Sequence, residues 1–165
     1  RKRFGEQQPI VRAMPNTPAS IGKGMSVAGA AHGTSEDIML TAHKLLSALG
    51  LVEWVKDEGL LDPVTAVSGS GPAYVFYLIE ALAEAGLQAG LDKDFAMTLA
   101  RQTVVGAAAL AEHDAEIPAH RLRENVTSPN GTTAAALSVL MDGRLQDVMN
   151  EAVAAATKRG KELSK

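Results

Sequence analysis

The stretch Thr127-Ser128-Pro129-Asn130-Gly131-Thr132-Thr133 holds the sharpest loop chemistry in the sequence. Ser128 can cap a helix, Pro129 suits a helix's first turn, and Asn130-Gly131 permits an unusual backbone. Thr132 and Thr133 place hydroxyls in the opening turn of the helix that follows. The unbonded N–H groups at such a helix start form an anion site. No residue of the loop is charged, which suits a single carboxylate better than a polyphosphate. The plainer alternative is an ordinary N-cap after a turn, and spacing alone leaves both readings open.

Other chemistries fit less well. Ser70 lies between Gly69 and Gly71, but a G-x-S-x-G elbow needs Gly where Ser68 and Pro72 stand. These small residues fit a helix kink, or the close approach of a ligand or a second backbone. His32, His43, His113 and His120 form no metal-ligand pattern at helical spacing, so no metal is expected. The sequence has no Cys, which excludes a disulfide scaffold, a thiolate metal site and a Cys nucleophile. No G-x-G-x-x-G follows a strand pattern, and Gly22, Gly24 and Gly29 lack the spacing. A dinucleotide pyrophosphate therefore has no usual cradle among these residues. Asn125-Val126-Thr127 and Asn130-Gly131-Thr132 match the glycosylation acceptor, a chance match without secretion.

The elements that position this loop fall into two textures. Residues 1–62 carry short extended patterns and Gly-rich turns, and residues 63–165 carry helical patterns. Strands are predicted over 9–14 and 24–30, the first stopped by Pro15-Asn16-Thr17-Pro18. A helix follows from Ser35 as N-cap, with the stripe Ile38, Leu45, Leu46 and Leu49 closed by Gly50. Leu51 to Val55 then alternate as a half-buried strand. Three strands and one helix make a thin α/β sheet. The chain also opens on Arg1-Lys2-Arg3 rather than Met, and we expect further N-terminal residues in the native protein.

Asp62 is expected to cap a helix with Pro63 at its first position. Residues 73–89 are apolar around most of their girth, with Glu80, Glu84 and Gln88 on one narrow strip. Such a helix needs burial on most sides, which points to a second subunit. Asp92 caps the next helix, anchored by Phe95, Leu99 and Val105. The last helix carries Leu145, Val148, Met149, Ala152, Val153 and Ala156 on one face, and a basic end.

Composition sets the class. The chain has 165 residues, 46% of them hydrophobic, enough for a core without staples. A net charge of −3 and 4% aromatic residues argue against nucleic acid. No apolar run reaches the roughly 18–20 residues of a membrane span, and no signal-peptide pattern opens the chain. A soluble, cytoplasmic protein is the expectation.

Three stretches resemble pyrroline-5-carboxylate reductases. These are Leu122 to Asp142, with its core ENVTSPNGTTAAAL; Val11 to Pro18, VRAMPNTP; and Asp62 to Tyr74, DPVTAVSGSGPAY. They occur in the family's order and span nearly the whole chain. The resemblance implies the end of a Rossmann domain over 1–62, followed by an all-helical dimerisation and substrate-binding domain over 63–165. It implies a homodimer through the helical domain, with further assembly open, and hydride transfer from NADPH or NADH to 1-pyrroline-5-carboxylate, giving L-proline. It assigns Thr133 to the ring nitrogen as the catalytic residue. Backbone around Ser128, Pro129, Asn130, Gly131 and Thr132 would hold the substrate carboxylate, and Val126 would touch the substrate. Met14, Pro15 and Asn16 would flank the nicotinamide. Position 130 is Asn where the family usually has Gly, and Asn tolerates positive φ better than other side chains.

Two alternatives stand beside this. One is a helical dimerisation module without catalysis of its own, as the 165 residues alone are expected to be inactive. The other is a dehydrogenase of the 6-phosphogluconate or hydroxy-acid type. That type needs a catalytic Lys in the helical part, whereas Lys93, Lys158 and Lys161 lie at helix ends.

Overall fold

The computed structural model describes Gly5 and residues 8–163; the basic opening Arg1-Lys2-Arg3 lies outside them. The chain divides into two compact units. One runs up to Ala73 and resumes at Asn150, and the other is Tyr74–Met149.

The first unit is built on a three-stranded sheet in the order β1 (Val11–Pro15), β2 (Gly24–Ala30), β3 (Gly50–Val55). β1 runs antiparallel to β2, with Val11 opposite Ala30 and Pro15 opposite Ser26. β2 runs parallel to β3, from Gly24–Gly50 to Gly29–Val55. A parallel pair needs a crossover, supplied here by helix α1 (Glu36–Ser47). β2 is the buried centre, and small residues suit it. A Cβ on Gly24 would meet the Leu49 carbonyl oxygen at 2.7 Å and Ala19 Cα at 2.8 Å. Ser26 is 0% exposed and its hydroxyl has no hydrogen-bond partner among the described residues. Burying an unpaired hydroxyl is costly, so Ser26→Ala is expected to raise stability by about 1 kcal/mol, read as a higher denaturation midpoint. An unchanged or lower midpoint would mean that the hydroxyl finds a partner in solution.

Alternation places Ser26 and Ala28 on the same sheet face as Val52 and Trp54. The Trp54 indole N–H donates to His43 Nδ1 at 3.3 Å, so α1 covers this face. The inward face of α1 is Met39, Ala42, His43 and Leu46. Ile38 and Leu45, expected in the buried stripe, are exposed on the flank. Ser35 stands at the N-cap without a side-chain bond, and Ala48 rather than Gly50 ends the helix.

Beyond β3, Asp57 accepts from Gly59 N at 2.8 Å and caps a 3-10 turn over Glu58–Leu60. That turn runs directly into α2 (Leu61–Val64), so Asp62 does not cap it. Pro63 falls third, where a missing N–H still breaks no intrahelical bond. The Ser68–Pro72 interruption is a π-turn over Thr65–Gly69, closed by Ser70 N donating five residues back to Thr65 O at 2.8 Å.

From here the chain is helical: α3 (Gly71–Gln88), α4 (Lys93–His113), α5 (Ala119–Asn125), α6 (Thr132–Leu140) and α7 (Arg144–Leu163). The Asp92 carboxylate caps α4, accepting from Asp94 N at 3.0 Å and Phe95 N at 3.2 Å. Asp92→Ala is expected to cost about 1 kcal/mol in chemical denaturation. Ala96 and Ala100 are the buried residues of α4, and a Cβ on Gly86 would lie 3.2 Å from Ala96 Cβ. Small residues thus set the contact between α3 and α4. The expected anchors Phe95, Leu99 and Val105 are exposed instead. On α3, Phe76, Tyr77 and Leu78 are 60%, 70% and 56% exposed. Leu145, Val148 and Met149 of α7 are exposed too. No helix of the described residues is long and apolar enough to cross a membrane.

Candidate functional site

The uncharged loop lies in the second unit. α5 ends at Asn125, and Thr127 closes off its last turn, with its N–H on Glu124 O at 3.0 Å and its hydroxyl on Arg123 O at 2.6 Å. Val126 is left exposed between them. Next comes a tight turn in which Gly131 N donates to Ser128 O at 3.1 Å. Asn130 sits at φ 59°, the only non-Gly residue at positive φ among the described residues. The turn is tight at 131, where a Cβ would lie 3.2 Å from Ser128 O and would turn the Ser128 hydroxyl aside.

α6 begins one residue later. Ser128 does not cap it: the N-cap is Gly131 and no side chain caps the helix. The turn closed at positive φ by Asn130 separates Ser128 and Pro129 from the helix. The first donor bonded into the helix is Ala135, on Gly131 O at 3.1 Å. The N–H groups of Thr132, Thr133 and Ala134 precede it and are the helix's open donors. The Thr127 and Ser138 hydroxyls are held by backbone carbonyls. The hydroxyls of Ser128 and Thr133 have no hydrogen-bond partner among the described residues. Uncharged donors, a bend that needs Gly or Asn, and an exposed Val126 are suited to one small carboxylate with an apolar body.

Met14, Pro15 and Asn16 lie in the first unit, at the end of β1. Pro15 is exposed, while Met14 and Asn16 are half-buried. The Asn16 amide is engaged within the protein. Its Oδ1 accepts from Met25 N at 2.9 Å, and its Nδ2 donates to Ser68 O at 3.2 Å and to Ser68 Oγ at 3.3 Å. This segment can offer a flat ring the surfaces of Met14 and Pro15 and the backbone around them. Ser68 was not among the expected site residues. Its signal in the sequence is Pro72, four residues on, which has no N–H for the Ser68 carbonyl. Among the described residues no group of three or more His, Asp or Glu is placed to hold a metal.

Known proteins are similar to this chain in sequence and fold. Residues 58–163 match the family model for pyrroline-5-carboxylate reductase dimerisation. A pyrroline-5-carboxylate reductase of Pisum sativum is 45% identical over 158 residues, covering 94% of this chain and 56% of that protein. A solved pyrroline-5-carboxylate reductase of Coxiella burnetii is 45% identical at a TM-score of 0.93, covering 99% of this chain and 60% of that one. A pyrroline carboxylate reductase of Plasmodium falciparum, solved with NADP bound, is 29% identical at a TM-score of 0.83, covering 99% and 62%. The chain thus spans a little over half the length of the curated relatives it matches. With residues 58–163, well over half of its length, matching that model, the chain belongs to the pyrroline-5-carboxylate reductase dimerisation family.

Proposed function

We propose that the protein carrying this sequence reduces 1-pyrroline-5-carboxylate to L-proline with NADPH or NADH. The observation that carries the reading is the start of α6, where open N–H donors, and a hydroxyl without a partner among the described residues, follow a turn held at positive φ by Asn130. The substrate is a cyclic imine with one carboxylate. The N–H groups of Thr132, Thr133 and Ala134 hold that carboxylate, and the turn of Ser128, Pro129, Asn130 and Gly131 shapes its seat. Val126 lies against the ring. The Thr133 hydroxyl hydrogen-bonds the ring nitrogen as it gains a proton.

Met14, Pro15 and Asn16 flank the nicotinamide. The apolar surface of Met14 and Pro15 fits a flat ring. When bound, NAD(P)H supplies the hydride that the imine carbon accepts. The chain's own part is to orient the imine and to keep water from it. That suits a loop, residues 126–133, whose sequence includes no His.

We place a nucleotide-binding part in residues 1–62 and the dimerisation and substrate-binding part in residues 63–165. The protein acts as a cytoplasmic homodimer, with room for higher assembly, and has no nucleic-acid or membrane partner. The exposed apolar side chains of α3 and α7 support the dimer. They also favour the second reading, a dimerisation module whose catalysis lies elsewhere, and sedimentation as a monomer would remove both.

Amide NMR tests the carboxylate seat. L-proline added with oxidised cofactor is expected to shift the Thr132, Thr133 and Ala134 amides more than any others. Shifts confined to other residues would contradict the reading.

A further inference from the structure

The Asn16 side chain stands at the N-cap of the 3-10 turn over Thr17–Ile21, yet it makes no capping bond there. It reaches out to two other elements instead, the first residues of β2 and the π-turn. Both halves of its amide are used: the oxygen by Met25 N, the nitrogen by Ser68. The Ser68 carbonyl is open for a reason visible in the chain. In a regular helix it would accept from residue 72, which is Pro and has no N–H. The next candidate, Ala73 N, donates to Ser70 O at 3.0 Å. A part-buried carbonyl without a donor is costly, and Asn16 supplies the donor.

A steric contact backs the polar one. A Cβ on Gly69 would lie 2.6 Å from Met14 Cε, so a methyl added there displaces the flexible tip of the Met14 side chain. Asn16 is thereby registered on the π-turn by hydrogen bonds, and the tip of Met14 lies against Gly69 of the same turn.

We infer that Ser68 and Gly69 are positioning residues for the reduced nicotinamide, acting through Asn16 and Met14. The inference rests on the reading that Met14–Asn16 flank that ring. Ser68 and Gly69 need not touch the cofactor themselves. They hold the strand end in the one position that presents the Met14 and Pro15 surfaces to it.

The test is NADPH and NADH binding, titrated by cofactor fluorescence on the protein at its full natural length. Ser68→Ala is expected to raise the cofactor Kd about 3-fold, and Gly69→Ala about 10-fold. Ser68→Thr, which keeps the hydroxyl, should restore wild-type binding. The Kd for L-proline should stay unchanged in all three. A merely structural role would move both ligands and Tm together, and that result overturns the inference. So does an unchanged cofactor Kd in Ser68→Ala and Gly69→Ala. Should Gly69→Ala fail to fold, the Ser68 pair decides alone. A wild-type protein that binds NADPH but does not reduce 1-pyrroline-5-carboxylate overturns the reductase reading, and the Kd values still decide this one. A wild-type protein that binds neither cofactor overturns both.

Discussion

Thr133→Ala is expected to lower kcat/KM for 1-pyrroline-5-carboxylate by about 10-fold or more, on the order of 1.4 kcal/mol of transition-state binding. The loss should fall mainly on kcat, because the hydroxyl is asked to meet a nitrogen that becomes a better acceptor and gains a proton only as the hydride arrives. Backbone N–H groups, not the Thr133 side chain, hold the carboxylate in this account, so KM should change less. Folding should survive the change. Ala is a better helix former than Thr, and the hydroxyl holds no protein group among the described residues. Thr133→Ser keeps the oxygen and should retain most of the activity. Steady-state kinetics on the three proteins checks this, and equal kcat/KM in Thr133→Ala would remove Thr133 from the mechanism.

A larger effect on stability is expected at Gly50. It begins β3 at φ 136°, a conformation that side chains rarely adopt. Its Cβ would also run into the backbone of Gly24, colliding with the carbonyl oxygen and lying 2.6 Å from the nitrogen and 2.8 Å from the carbonyl carbon. Those atoms belong to the central strand and cannot swing away as a side-chain end could. Strain and collision together should cost Gly50→Ala about 3 kcal/mol or more, enough to unfold a marginal domain. Gly90→Ala is the control. Gly90 has φ 97° with nothing within 4 Å of its Cβ position, so it carries the strain without the collision. Its cost should be about 1–2 kcal/mol. Equal midpoints for the two variants in chemical denaturation would show that the β2–β3 approach at this end is looser than described.

Local patterns made the strands and the loop legible. The small-residue run 24–30 and the alternation 51–55 give β2 and β3 nearly residue for residue. Asn130 at positive φ follows from its type and its neighbour Gly131. What failed was choosing between equivalent local signals. Asp57 and Asp62 are both good caps, and only the 3-10 turn leading straight into α2 decides for Asp57. Ser128 reads as a cap until the turn over Ser128–Gly131 puts Gly131 at the helix start. Ile38 and Leu45 look like a core stripe, but the sheet takes the neighbouring face of α1. On α4, Ala rather than Phe and Leu makes the contact, because small residues let helices approach closely. The bond between Asn16 and Ser68 joins residues 52 apart, beyond any local pattern.

We propose first of all that the protein carrying this sequence reduces 1-pyrroline-5-carboxylate. The most direct test of this is the loss of NAD(P)H absorbance when 1-pyrroline-5-carboxylate is added to the protein at its full natural length, with L-proline followed as product. Equimolar cofactor oxidation and L-proline formation are expected, reduced about 10-fold or more by Thr133→Ala. Folded wild-type protein that oxidises neither NADPH nor NADH with this substrate would contradict the proposal.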